Sequence, residues 1–102
     1  MPITRGYDTI LREIDDRLET LNDQWERVHF KKRMGKREPF KKEMKKRMDL
    51  ILKVMKKLQT CRGTLVQVNE VYGNSVERQR AKEEMERRLI DLDKLIEYFH
   101  KF

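Results

Sequence analysis

Seven apolar residues in the first third of the chain, Tyr7, Leu11, Ile14, Leu18, Leu21, Trp25 and Val28, are separated alternately by four and three positions. A strand places same-face neighbours two apart, so this spacing is that of a helix with one apolar stripe. Other positions carry Glu13, Asp16, Glu19 and Asp23, which face water in such a helix. A single apolar stripe has to be covered, and helices of the same kind are the natural cover.

The rest of the chain supplies two of them. The stretch from Arg33 to Pro39 reads as a stop and a restart, with Gly35 suited to a helix C-terminal cap and Pro39 to the first turn of the next helix. Met44, Met48, Ile51, Met55, Leu58, Leu65 and Tyr72 then keep the period. Beyond Leu58 the stripe should drift, because Arg62 and Asn69 occupy the heptad positions while Val54, Cys61 and Val68 line up one position earlier. Gly63 costs roughly 1 kcal/mol relative to Ala inside a helix and marks an expected kink or break.

Tyr72-Gly-Asn-Ser75 reads as a turn, with Asn74 and Glu77 spaced as a capping box for a third helix. Its stripe is Met85, Leu89, Leu92, Ile96 and Phe99, widened by Leu95 and Phe102. The expectation is one all-α domain spanning residues 1–102, with helices over about 3–32, 39–71 and 75–101. Short connections imply an elongated antiparallel three-helix bundle, up-down-up, with coiled-coil-like packing.

Charged residues, at 42%, outnumber hydrophobic ones, at 37%, a balance that suits long amphipathic helices better than a compact globule. The most apolar segment, Asp49 to Met55, is broken by Lys53 and falls short of the roughly 20 apolar residues of a membrane span. The N-terminal residues have no secretory pattern, and Cys61 is the only cysteine. Together these predict an intracellular protein, cytoplasmic or nuclear.

The charge is not spread evenly. Residues 29–62 hold 14 basic and 3 acidic side chains, a net of +11, against −3 for residues 1–28 and −1 for residues 63–102. The basic residues Lys31, Lys32, Arg33, Lys36, Arg37, Lys41, Lys42, Lys45, Lys46, Arg47, Lys53, Lys56 and Lys57 fall on the first connection and the second helix. Such a face attracts polyanions, unless the acidic face of the first helix neutralises it within the bundle. Phe30 and Phe40 are the only aromatics inside the block, and no zinc-finger or helix-turn-helix spacing accompanies it. Nucleic-acid binding would therefore rest on phosphates.

Leu50, Leu52, Val66 and Val71 lie off the main stripe of the second helix, so either that helix is buried on two sides or they form a hydrophobic partner strip, through which the chain could also self-associate. Chemistry-bearing patterns are sparse. Glu26 with His29 and Glu97 with His100 repeat the Glu-x-x-His frame of di-iron bundles, but they occupy flanking positions and lack additional inward carboxylates. Cys61 has no histidine near it in sequence, and the four glycines are isolated rather than grouped in a phosphate loop. No catalytic residue, metal or cofactor is expected, and the chain is not read as an enzyme.

Leu18-Glu-Thr-Leu21-Asn22-Asp-Gln-Trp25-Glu-Arg-Val28 resembles the Leu-x-x-Leu-Asn-x-x-Trp-x-x-Leu pattern in the last helix of spectrin repeats, although here it sits in the first helix. The resemblance implies a three-helix bundle that serves as a scaffold and docking surface. The function expected is thus a non-enzymatic helical interaction or scaffold module that docks an acidic protein partner through its basic loop and helix face. Nucleic-acid binding through the same face is the alternative, and an anionic membrane surface ranks third.

Overall fold

The computed structural model describes residues 6–72 and 76–102, without the side chains of residues 71 and 72. Among them are three helices and no strand: α1 Tyr7–Met34, α2 Glu38–Tyr72 and α3 Val76–Phe99. The expected turn at Asn74 lies outside the described residues, and α1 begins at Tyr7 after an extended Gly6 rather than running on from about residue 3. At the other end, α1 runs two residues past its expected stop, since Lys31, Lys32 and Arg33 in its last turn complement the negative end of the helix dipole.

The contacts set the directions. Along α1, Tyr7 meets Arg78, Arg17 meets Asp93, and Gln24 meets Ile96, so partners rise together and α1 and α3 are parallel. Asp15 of α1 bonds Arg62, far along α2, which therefore runs the opposite way. The molecule is an up-down-up bundle measuring 55 × 27 × 15 Å between Cα extremes. Its long axis matches the roughly 52 Å expected for the 35 residues of α2.

The core is a column of Ile10, Ile14, Leu21 and Val28 from α1, Met44, Met48, Ile51, Leu58 and Leu65 from α2, and Met85, Leu89, Ile96 and Phe99 from α3. Each such side chain contributes roughly 1.5–3 kcal/mol by leaving water. The methionines of α2 are thus interior packing at Met44 and Met48, with Met55 half-buried.

On α1 the buried face is turned from the expected stripe. Ile10 and Gln24 are inside, whereas Leu11, Leu18 and Trp25 are half-buried. The heptad count located the stripe that faces one neighbour, but α1 has two, and seating α3 pulls the centre of burial toward Ile10 and Gln24. Gln24, 2% exposed, is bound there: its Nε2 donates to the Ile96 carbonyl at 3.0 Å and lies 3.2 Å from His100 Nδ1.

The expected break at Gly63 does not occur, and α2 is continuous through it. Its backbone bonds are kept, and a side chain added there would meet nothing within 4 Å. The drift of the stripe is real: Arg62 turns out to bond Asp15 at 2.8 Å, while Val54 and Cys61 pack at the edge of the core.

Tyr7 anchors the far end. Its hydroxyl donates to the Arg78 carbonyl, and the Arg78 guanidinium lies 4.6 Å from its ring centroid. Burial pushes the phenol above its ordinary value of 10.0, against the opposing pull of Arg78. Because the fold favours the neutral phenol, its contribution is whole below the unfolded value and is lost as pH rises through the folded one.

Two outcomes follow. Gly63→Ala should raise the urea midpoint, with a gain of about 0.5–1 kcal/mol from helix propensity alone. Above about pH 10 the wild type should lose stability more steeply than Tyr7→Phe, which has no phenol to ionise, while below about pH 9 the two curves should run parallel; parallel curves throughout would show that Tyr7 is not the group responsible.

Candidate partner-docking surface

The basic residues occupy the last turn of α1, the connection at residues 35–37, and the first two-thirds of α2. The bend that joins these pieces depends on close packing. Gly35 caps α1 with φ −72° and ψ 141°, and its N–H donates to the carbonyls of Lys31 and Lys32. It is an extended cap rather than the left-handed one that Gly usually supplies. A Cβ at Gly35 would meet the Phe40 ring, so a larger residue there has to move that 40% exposed side chain.

Along α2, Lys42, Lys46, Lys53 and Lys57 are all exposed. Their spacing of four, seven and four residues puts them on one outward face over roughly 22 Å. Lys45 and Lys56 are exposed beside that line, and Lys36 and Arg37 extend it onto the connection. Arg47 lies on another side, half-buried, 3.6 Å from Glu43 and 4.9 Å from the Phe102 ring centroid. Lys31 donates to the main-chain oxygen of Phe102 at 2.7 Å.

These last two are held within the bundle. Lys32, Arg33, Lys36, Arg37, Lys41, Lys42, Lys45, Lys46, Lys53, Lys56 and Lys57 make no side-chain ion pair or hydrogen bond among the described residues. The interhelical pairs form elsewhere, Arg17 with Asp93 and Arg62 with Asp15. The acidic face of α1 therefore does not fold onto the basic face of α2.

Helix energetics do not account for all of this charge. Lys31, Lys32 and Arg33 are favourable at a helix C-terminus, but Lys36, Arg37 and Lys41 flank the N-terminus of α2, whose dipole favours acids. Glu38 is the acid of that first turn. The Arg37 carbonyl accepts from the Lys41 N–H at 3.1 Å, so Arg37 occupies the cap position, where Ser, Thr, Asp or Asn would be more stabilising.

The structure does not gather the expected hydrophobic strip. Leu50 and Leu52 are exposed, at 48% and 36%, but residues two apart on a helix face different sides. Val66 is half-buried, and the side chain of Val71 lies outside the described residues. A different apolar feature is present instead: an open groove of about 550 Å³ between α2 and α3, lined by Val54, Leu58, Cys61, Leu92 and Leu95, with Lys56, Lys57, Thr60, Arg88 and Asp91 around it. Its sequence signal was the one-position offset of Val54 and Cys61, together with Leu95 at the edge of the third stripe.

The two Glu-x-x-His pairs are not assembled into a site. His29 stacks on Trp25 with centroids 5.0 Å apart, and His100 lies against Gln24. Among the described residues no three potential ligands converge as a metal cluster would require. Cys61 is half-buried in the groove, where Arg88 Nη1 approaches its Sγ to 3.2 Å. No described helix is long and apolar enough to cross a membrane.

Fold and surface thus define a class, an all-α three-helix bundle with a basic face. Comparison with protein-family models, curated proteins and solved structures gives no match to this chain.

The packing of the bend is testable. Gly35→Ala should destabilise by no more than about 1 kcal/mol, the cost of moving the exposed Phe40 ring to another rotamer, and that loss should vanish in a Phe40→Ala background, measured as a double-mutant cycle by chemical denaturation.

Proposed function

We propose that this chain is a non-enzymatic helical interaction module that docks an acidic protein partner through the connection at residues 35–37 and the outward face of α2. The observation that carries the reading is the unneutralised line of lysines on α2. Eleven cations of the block have no internal partner among the described residues, and several stand where they weaken the helix that bears them. A face that served only for solubility would mix both signs and respect the dipole. The scaffold role implied by the spectrin-like stretch belongs to the same class.

The interaction should be steered by long-range attraction and weakened by salt. A second reading, binding of single-stranded nucleic acid, draws on Phe30 and Phe40, which are 59% and 40% exposed beside the lysines and could stack bases. Self-association remains a separate proposal, tested by sedimentation at two concentrations.

The discriminating experiment combines two sets of substitutions. Replacing Lys41, Lys42, Lys45 and Lys46 together by Glu should weaken binding of a poly-glutamate probe by about tenfold or more at roughly 0.1 M salt. An unchanged isotherm would leave the block a solvated face. Phe30→Ala with Phe40→Ala should spare that probe; a selective loss of single-stranded RNA binding in the double variant would favour the second reading. Arg37→Asp should separate function from stability, adding roughly 1 kcal/mol by capping α2 while lowering affinity for the acidic probe.

A further inference from the structure

We infer that the groove between α2 and α3 seats an acidic amphipathic helix of a partner protein, which would complete a four-helix bundle. This rests on the reading of the chain as a module for acidic partners, and it locates where the partner's apolar side goes. The floor consists of Val54, Leu58, Cys61, Leu92 and Leu95, in an open groove of about 550 Å³. Leu95 is 43% exposed although it lines an apolar surface.

Two features select the occupant. The walls are antiparallel helices, Cys61 of α2 facing Arg88 of α3, so the groove has the shape that a third helix fills by packing ridges into it. The positive sign of the rim lies on the α2 wall, where Lys56 and Lys57 line the groove and exposed Lys53 is one turn from Lys57; on the α3 wall Arg88 is paired with Glu84 at 2.7 Å and Asp91 is the remaining charge. An apolar stripe flanked by Asp and Glu would satisfy floor and rim together. A second copy of this chain would bring its own +7 net charge against the same rim.

The chain carries its own reporter, because Cys61 is its only cysteine and lies in the groove. The probe is a synthetic peptide of about 18 residues with Leu at three- and four-residue spacing and Glu elsewhere, whose apolar stripe forms as it becomes helical on binding. A control peptide has the same composition with the Leu spacing scrambled. Binding is read by calorimetry and by the rate of Cys61 alkylation on the full chain.

The expected result is that the amphipathic peptide slows alkylation at least about fivefold and the scrambled one does not. Leu95→Asp should then weaken binding by about tenfold or more while leaving the helical content unchanged. Val54→Asp, on the opposite wall, should act in the same direction. If poly-glutamate binds but the amphipathic peptide leaves Cys61 unprotected, or binds Leu95→Asp as tightly as wild type, the groove assignment is overturned while the basic face stands. If neither probe binds, both readings fall. Protection of Cys61 that grows with protein concentration, without peptide, would make the occupant a second copy and would likewise overturn the inference.

Discussion

Everything in this bundle follows from α1 having to cover one apolar stripe with two helices at once. α2 takes the larger share of the contact, and α3 leans on both. That arrangement sets the centre of the core at Ile10, Ile14, Leu21 and Val28. It also draws Gln24 inside, where α3 presents the Ile96 carbonyl and His100 to the amide nitrogen while Oε1 is buried without a hydrogen-bond partner among the described residues. The same sharing leaves α2 and α3 incompletely closed on the side away from α1, which is where the apolar groove lies.

Charge follows the topology. At one end of the molecule the C-termini of α1 and α3 sit beside the N-terminus of α2. Two negative helix ends there favour cations, and Lys31 bonded to the Phe102 oxygen with Arg47 over the Phe102 ring belong to that local balance. The lysines farther along α2 do not, since they neither cap a helix nor meet a carboxylate of α1. The fold explains the first group as structure and leaves the second as a surface available to a partner.

Much of the fold was legible in the residues. The three- and four-residue spacing located all three helices, Pro39 falls in the first turn of α2, and the drift after Leu58 reappears as Arg62 outside the core, paired with Asp15. What misled was the assignment of local signals to one cause. Gly63 reads as a breaker, yet a single glycine costs less than the packing of Leu58 and Leu65 on either side supplies. Gly35 reads as a helix C-terminal cap and is one, though in an extended conformation beside the Phe40 ring. The off-stripe residues Leu50 and Leu52 read as one strip, although the helical period sends them to different sides.

The sequence by itself determined that the chain is helical, where the helices start and stop within a few residues, and that the positive charge is concentrated on the first connection and α2. These depend on periodicity and composition, which act over a turn or two. Only the tertiary structure decided which flank of each stripe is buried, that Gln24 is interior, that the acids of α1 leave the lysines of α2 unpaired, and that the apolar opening is Val54, Cys61, Leu92 and Leu95 rather than Leu50 and Leu52. Those outcomes depend on how far α3 rolls across the α1–α2 pair, a packing angle set by side chains distant in sequence and invisible to any local pattern.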